Sequence, residues 1–237
     1  MTAPGPTATG PAAADVWSDV EFAKAWLAKD TQGDLLALPR RIAAALVEGD
    51  RPGTALVLDI ASGAGPFLAA FLDTFPEAHG FCTDASPTMV ETARDRLAGY
   101  ADRVTYQLAD MTDLASAGLP TAFDAITTSR ASHHLKGAPL ADFYRGVTAH
   151  LAPGGWFANL DHVGPPAVWD ARLRAAKKRL FPSQGEGGPK HHHDYPLASV
   201  DEHLAALAAA GLPDARVAWS AFHTCLIMAR RSDGSDA

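Results

Sequence analysis

The sequence predicts an α/β fold: a seven-stranded, mostly parallel sheet with an antiparallel last strand and helices on both faces. Three observations support this. Residues 55–71 run from an apolar segment through a turn of small residues into a helical pattern. Further apolar segments then alternate with helical patterns as far as residue 160. Finally, residues 215–221 and 222–229 form two adjacent strand-like segments, which favours a closing antiparallel pair.

The first strand, turn and helix form the unit around which the chain is organised. The apolar run suits a strand buried on both faces, and it ends in an acid, Asp59. Pro66 suits the first position of the following helix, because its missing N–H is not needed there. Glycine lets a ligand approach the backbone, and the helix start offers unpaired N–H groups. We therefore predict a nucleotide-binding turn, with a simple strand-to-helix connection as the alternative.

The spacing of small residues in this turn indicates which nucleotide it binds. A dinucleotide-binding turn needs a third glycine three residues after the second, and neither register of this turn provides it. The pattern Asp59-x-Ala61-x-Gly63-x-Gly65 instead resembles the first motif of class I S-adenosylmethionine-dependent methyltransferases. The resemblance implies a Rossmann-like fold and a turn that packs against the methionine part of the cofactor S-adenosylmethionine. Ala61 stands where the family usually has glycine, and we expect a negative φ there because alanine disfavours positive φ.

An acid also follows the second predicted strand. Asp84 ends the strand at residues 80–83, and an acid at this place can accept hydrogen bonds from ribose hydroxyls. Residues 84–89 resemble the second motif of the same family, which implies that Asp84, Ala85 and Met89 contact the cofactor. A helix cap is the alternative role for Asp84, although Ser86 suits that role better.

A third acid follows the predicted strand at residues 103–108. The carboxylate of Asp110 can accept from an adenine amine while the adjacent backbone N–H donates to a ring nitrogen. This segment resembles the family's third motif, which implies that Asp110 and Met111 contact the adenine. Alternatively, Asp110 caps the short segment that follows it.

Ligands of open α/β sheets lie beyond the carboxyl ends of the strands. The segments that follow the fourth strand (123–128) and the fifth (156–160) are therefore expected to face the transferred methyl group. The sequence His133-His134-Leu135 is similar to the corresponding segment of many small-molecule methyltransferases. We predict Ser129 as a cofactor contact and His134 and His162 as candidate general bases. The predicted substrate contacts are Arg130, His133, Asp161, Tyr195 and His223.

Histidines are frequent in the segments expected near this face. They could bind a metal, supply a base or fill ordinary structural positions. Consecutive histidines such as those at 191–193 rarely all bind one ion, and no helix carries His-x-x-x-His. We therefore predict no resident metal.

The composition limits the class of protein. The 237 residues fit one domain, and a net charge of −7 without a long basic cluster argues against a nucleic-acid substrate. No signal peptide and no apolar run of membrane-spanning length is present, so a cytoplasmic protein is expected. Two cysteines, Cys82 and Cys225, are expected to be reduced core residues. The sequence gives no information on oligomeric state.

The domain boundaries follow from the same pattern. Residues 1–14 are predicted to be a disordered tail and residues 15–230 a single domain. Its first helix is expected to be capped by Asp15, and a turn at residues 152–155 is expected before the fifth strand. The resemblance implies that helices at 15–50 fold over the cofactor and that an insertion at 164–197 shapes the substrate pocket. Alternatively, Trp17, Phe22 and Trp26 of the first helix pack on the edge of the sheet.

Together these features predict an enzyme that transfers the methyl group of S-adenosylmethionine to an O, N, S or C nucleophile of a small molecule. The expected chemistry is an in-line displacement, in which alignment supplies much of the rate enhancement. Two alternatives remain open. The same cofactor could direct an elimination or rearrangement without methyl transfer, or the protein could bind the cofactor without catalysis.

Overall fold

The computed structural model describes residues 19–29, 33–181 and 196–234. Over these residues strands and helices alternate for most of the chain. The strands β1 to β7 are Leu56–Ile60, His79–Asp84, Val104–Leu108, Phe123–Ser129, Leu151–His162, Arg216–Ala221 and Thr224–Arg230. The helices α1 to α7 are Val20–Lys29, Gly33–Asp50, Pro66–Thr74, Pro87–Arg96, Ala138–His150, Ala167–Leu180 and Val200–Ala209.

The strands form one seven-stranded sheet in the order β3-β2-β1-β4-β5-β7-β6. Strands β1 to β5 are mutually parallel, and β7 is antiparallel to both of its neighbours. The predicted fold class, including the antiparallel last strand, is thereby confirmed. The chain reverses its direction of travel across the sheet between β1 and β4, and ligands bind at such switch points beyond the strand ends.

Side chains of β1 show how the sheet is buried on both faces. Leu58 and Ile60 belong to one apolar cluster and Val57 to another, because successive side chains of a strand point to opposite faces. Both clusters include helical residues, so helices cover each face, as predicted. The start of α3 at Pro66 is also as expected, since proline lacks only an N–H that the first helical turn leaves unpaired.

The predicted helix cap, Asp15, lies outside the described residues; at the start of α1 the Oδ1 of Asp19 accepts from the N–H groups of Glu21 and Phe22 at 2.9 and 3.1 Å. One local prediction was wrong. The predicted turn at 152–155 lies within β5, which already begins at Leu151. The reason is a long-range backbone pairing that local turn residues do not show: Arg231 exchanges hydrogen bonds with Gly154 and Gly155.

The remaining features of the core agree with the sequence. Both cysteines are buried and free, as predicted. Within the three described ranges, none of the helices has both the length and the apolar character that crossing a membrane requires. The predicted N-terminal tail at 1–14 lies outside the described residues.

Candidate functional site

A cavity of about 320 Å³ lies at the carboxyl ends of the parallel strands, at the switch point of the sheet. Its volume is at the lower end of the ~300–1,000 Å³ typical of small-molecule sites. Most of the predicted cofactor contacts line it, namely Ala61, Gly63, Asp84, Ala85, Met89, Asp110, Met111 and Ser129. Arg130 and His134 line it as well. The structure thus brings four separate strand-end segments together around one space.

The turn after β1 is held by three hydrogen bonds centred on Ser62. The Ser62 N–H donates to the Thr83 carbonyl at 2.8 Å, and its hydroxyl donates to the Asp59 carbonyl at 2.7 Å. The Gly65 N–H donates to the Ser62 carbonyl at 3.0 Å. These bonds fix the backbone in a left-handed conformation at Ala61, with φ 50°. The expected negative φ at Ala61 was therefore wrong, because contacts between strands outweigh the local preference of alanine.

The two glycines of the turn differ in what surrounds them. Both have positive φ, at 56° for Gly63 and 80° for Gly65. A Cβ placed on Gly63 would meet no atom within 4 Å, so this side of the turn opens into the cavity. A Cβ on Gly65 would lie 2.6 Å from Leu97 Cδ1. Gly63 is therefore positioned for a ligand to approach the backbone, whereas Gly65 serves packing and does not line the cavity.

Asp84 connects the end of β2 to this turn. Its Oδ2 accepts from the Gly63 N–H and its Oδ1 from the Ser86 N–H, both at 2.9 Å. Burial raises its pKa, and the two N–H groups partly offset that effect. Each carboxylate oxygen can accept a second hydrogen bond. Asp84 can therefore hold the turn and a ligand's hydroxyls at the same time.

Asp110 and Met111 form the wall beyond β3. One carboxylate oxygen of Asp110 accepts from both the N–H and the hydroxyl of Thr112, at 2.8 Å each. Asp110 is exposed and Met111 is half-buried. The local Asp–Thr turn orients the carboxylate at the cavity edge, where a polar acceptor beside an apolar side chain suits a heteroaromatic ring.

The comparisons with known proteins agree with this geometry. Residues 58–157 match the family described as methyltransferase domain. Over 118 residues the chain is 34% identical to the ubiquinone/menaquinone biosynthesis C-methyltransferase UbiE of Desulfotalea psychrophila. That similarity covers 49% of this chain and 44% of UbiE.

Solved structures show the same fold. An O-methyltransferase family protein from Burkholderia thailandensis matches with a TM-score of 0.66 and 20% identity, over 91% of this chain and 63% of its own. The mitomycin 7-O-methyltransferase MmcR matches with a TM-score of 0.65 and 22% identity, over 95% and 62%. The family match is to a methyltransferase domain and covers less than half of the chain, while the solved structures extend the shared fold over most of it. The chain covers less than half of the length of UbiE and under two thirds of these two solved proteins.

Asp59 does not line the cavity of the methyltransferase domain. It is almost fully buried at the end of β1, where its Oδ1 accepts from the Thr127 hydroxyl at 2.7 Å. Among the described residues its Oδ2 has no hydrogen-bond partner. Burial raises the pKa of Asp59 to about 6, although the hydrogen bond from the Thr127 hydroxyl acts to lower it. The structure therefore places Asp59 beneath the turn, while Asp84 and Asp110 face the cavity.

Asp161, predicted as a substrate contact, instead organises the loop after β4. Its Oδ2 accepts from the N–H of Ala131, the hydroxyl of Ser132 and the N–H of His133 at 2.8 to 3.1 Å. Its Oδ1 accepts from His133 Nδ1 at 2.6 Å and from the His162 N–H at 2.7 Å. Burial by itself raises the pKa of Asp161, but the charge and hydrogen bonds of His133 and its other neighbours hold it well below its usual range.

This arrangement corrects two predicted substrate contacts. Neither Asp161 nor His133 lines the cofactor cavity or the cavity beside α6, the two cavities described, and both side chains are buried. Because Asp161 collects the N–H groups of Ala131 and His133, it fixes the loop that carries Arg130 and His134 to the cavity. Arg130 itself has a left-handed φ of 56°, a strained conformation that persists only where surrounding contacts hold it.

The predicted bases lie on two different cavities. His134 lines the cofactor cavity, whereas His162 and His223 line a second cavity of about 930 Å³ between β5, α6 and the β6–β7 connection. The Nδ1 atom of His162 lies 3.0 Å from the Thr224 hydroxyl oxygen. Burial lowers the pKa of His162 to about 3, with the Asp161 charge opposing, so its imidazole is a weak base.

Two predictions concern residues or ions that the structure does not test. Tyr195 and the histidines at 191–193 lie outside the described residues. Within the described ranges, no group of three or more His, Cys, Asp or Glu side chains is placed to hold a metal ion.

Several cavity residues were not predicted from the sequence. The most informative is Arg40 of α2, which is buried and lines the cavity. It shares this lining with the turn residues Ala61 to Ala64, and its charge lowers the pKa of Asp59 beneath the turn. A cation in a helix that precedes β1 was a signal in the sequence, but the helical pattern alone does not show which side faces the cavity. The other unpredicted lining residues are Ser62, Ala64, Pro66, Phe67, Ala109, Thr112, Ala131 and Leu135.

The residues present fit the cofactor that this family uses. The cavity presents four different binding groups. They are the open backbone at Gly63, the carboxylates of Asp84 and Asp110, which can accept hydrogen bonds, and the positively charged guanidinium of Arg40. S-adenosylmethionine offers a matching set of groups: ribose hydroxyls, an adenine amine and a carboxylate. The apolar walls contributed by Met89, Met111 and others suit the remainder of the molecule.

Proposed function

We propose that this protein transfers the methyl group of S-adenosylmethionine to a small-molecule acceptor. The observation that carries the proposal is the single cavity at the switch point, into which Gly63, Asp84, Asp110 and Ser129 converge from four strand ends. When bound, the cofactor supplies an electrophilic methyl group on a sulfonium. The methyltransferase relatives, which include O- and C-methyltransferases, support methyl transfer in general.

The chain's own residues have distinct binding roles in this proposal. Asp84 accepts from the ribose hydroxyls while it still holds the turn through Gly63. Asp110 accepts from the adenine amine, and the neighbouring Met111 packs on the ring. The guanidinium of Arg40 receives the carboxylate of the methionine part, for which a charged donor with several N–H groups is well suited.

The helices α1 and α2 support a lid role for residues 15–50, since Arg40 of α2 lines the cavity. Helix α6 supports a substrate-side role for residues 164–197, because it lines the second cavity. Both segments therefore remain part of one proposed domain at 15–230.

His134 is the proposed general base for an acceptor that must lose a proton. It lines the cofactor cavity, and its ring packs on that of His133 at 4.2 Å between centroids. His133 is in turn fixed by Asp161. The lowered pKa of His162 makes it a hydrogen-bonding group on the acceptor side instead.

A methyl-labelled cofactor tests the function directly. The protein is incubated with labelled S-adenosylmethionine and a panel of small phenols, acids and amines, while label and S-adenosylhomocysteine are followed. Label in a product together with S-adenosylhomocysteine supports transfer. An acceptor changed without label would indicate elimination or rearrangement, and tight binding without product would indicate a non-catalytic protein.

The base is tested with His134→Gln and His162→Gln on any oxygen acceptor found. The first change is expected to lower kcat by about 10²–10⁴-fold, the range usual for a lost general base, and to remove the pH dependence of kcat. The second should leave the shape of the pH profile unchanged. Equal and pH-independent rates for His134→Gln and the wild type would exclude His134 as the base.

A further inference from the structure

The second cavity differs in charge from the rest of the molecule. It is bounded by His162 at the end of β5, by one side of α6 and by His223 after β6. Helix α6 contributes three cations to its lining, Arg174, Lys177 and Lys178. The chain as a whole carries a net charge of −7, so this is a local concentration of positive charge.

Among the described residues, Asp170 is the one acid that lines this cavity, and its carboxylate is already engaged. Its Oδ2 accepts from Arg174 Nε at 2.9 Å, and its Oδ1 lies 2.9 Å from His223 Nε2. Within the described part of the chain, neither Lys177 nor Lys178 takes part in an ion pair. Of the described side chains, none neutralises these two charges, which are therefore suited to bind an anionic ligand.

Lys177 is the most informative of these cations because it is half-buried. Burial lowers its pKa, since the charged form has lost part of its hydration without gaining a counter-charge. An acidic ligand would supply the missing charge. The lining also includes the apolar residues Val163, Phe181 and Leu197, which form the apolar wall of this cavity. Cations and an apolar wall in one cavity match an acid attached to a hydrophobic body.

The second cavity lies close to the cofactor cavity. The His162 ring lies 5.4 Å from that of His133, which lies 4.2 Å from that of His134, as measured between centroids. His162 lines the second cavity and His134 the first, so a row of three neighbouring imidazoles connects the linings of the two cavities. Burial lowers the pKa of His162, and the charges of Lys177 from the second cavity and Arg130 from the first lower it further.

We propose that the second cavity binds the acidic end of the methyl acceptor, so that the acceptor is an amphipathic small molecule with a carboxylate or phosphate group. Lys177 and Lys178 hold the anion, the apolar wall holds the body, and the nucleophile extends past His134 toward the cofactor cavity. This inference rests on the proposed function, because it names the class of acceptor for that reaction.

The test compares acidic and neutral probes of the same shape. Binding of 4-hydroxybenzoate, phenyl phosphate and the neutral 4-hydroxybenzamide is measured by ligand-observed NMR, both without S-adenosylhomocysteine and with it in excess. The variants are Lys177→Met and, as a matched control, Arg179→Met, which removes an exposed cation from the same helix outside the cavity lining. Circular dichroism and S-adenosylhomocysteine affinity verify that each variant is folded.

We expect at least one acidic probe to bind at least tenfold more tightly than the amide, and Lys177→Met to weaken that probe at least tenfold. Arg179→Met should change its binding less than twofold, and neither variant should alter S-adenosylhomocysteine binding. The tighter acid identifies carboxylate or phosphate as the preferred group.

The outcomes separate the two proposals. Equal binding of acids and amide, or acid binding that does not depend on Lys177, would overturn the anionic acceptor even if S-adenosylhomocysteine binds. Absence of S-adenosylhomocysteine binding together with Lys177-dependent acid binding would instead overturn the proposed function and retain the anion site.

Discussion

Alanine substitutions at the two glycines of the β1–α3 turn should separate cofactor binding from folding. In Gly63→Ala the new methyl group meets no protein atom within 4 Å, so the main structural cost is the left-handed φ of 56°. That conformation costs a residue with a Cβ about 1–2 kcal/mol. The chain already accepts this cost at Ala61, two residues earlier. The Gly63→Ala protein is therefore expected to fold.

In Gly65→Ala the same backbone cost is joined by a collision. The new Cβ would lie 2.6 Å from Leu97 Cδ1 and 3.0 Å from its Cγ. Overpacking of this kind adds about 1–3 kcal/mol, so the total loss is expected to be about 2–5 kcal/mol. Leu97 is buried and has little space to move.

Two assays distinguish these effects. Urea denaturation should show the larger loss of unfolding free energy for Gly65→Ala. Calorimetric titration with S-adenosylhomocysteine should show at least a tenfold loss of affinity for Gly63→Ala, because its methyl group occupies space at the cavity wall. A Gly63→Ala protein that binds S-adenosylhomocysteine like the wild type would refute the assignment of this turn to the cofactor.

Three further predictions concern the polar groups around the site. Asp161→Asn removes a buried charge that accepts from five donors, so it should lower the free energy of unfolding by about 3–5 kcal/mol in urea denaturation. The control, Asp142→Asn, breaks only an exposed ion pair and should cost at most ~0.5 kcal/mol. Equal losses of unfolding free energy for Asp161→Asn and Asp142→Asn would contradict the role of Asp161 in holding the loop after β4. Burial raises the pKa of Asp59 from 3.8 to about 6, so its stabilising contribution is present below pH 3.8 and is lost as pH rises through 6. The free energy of unfolding is measured for Asp59→Asn and wild type at both pH values. The value for Asp59→Asn minus that for wild type should increase by ~3 kcal/mol from pH 3.5 to 7.5, and a pH-independent difference would contradict this. Ala61→Gly should raise the free energy of unfolding by up to ~1 kcal/mol, because glycine adopts a positive φ without strain. A free energy of unfolding lowered by that amount would show that Ala61 is not strained.

The sheet was predictable because its signals are local. Apolar runs fix the buried strands, and the small residues with Pro66 fix the turn and the start of α3. The acids at the strand ends also pointed to the correct edge of the sheet, because the carboxyl ends of parallel strands meet there. Asp84 and Asp110 line the cavity as a consequence of that geometry.

The roles of other acids depended on partners distant in sequence. Asp59 and Asp161 both follow the same strand-end pattern, yet Thr127 and residues 131–133 bury them under the site. The conformation of Ala61 likewise depends on the hydrogen bond from Ser62 to β2. Arg40 was missed for the same reason, since only the packing of α2 brings it to the cavity.

A crystal structure with S-adenosylhomocysteine tests the central claim most directly. We predict electron density in the cavity beside Gly63, with the ribose hydroxyls within hydrogen-bond distance of the Asp84 carboxylate and the adenine beside Asp110 and Met111. Density for the ligand at another site, or a ribose remote from Asp84 in this cavity, would contradict the account.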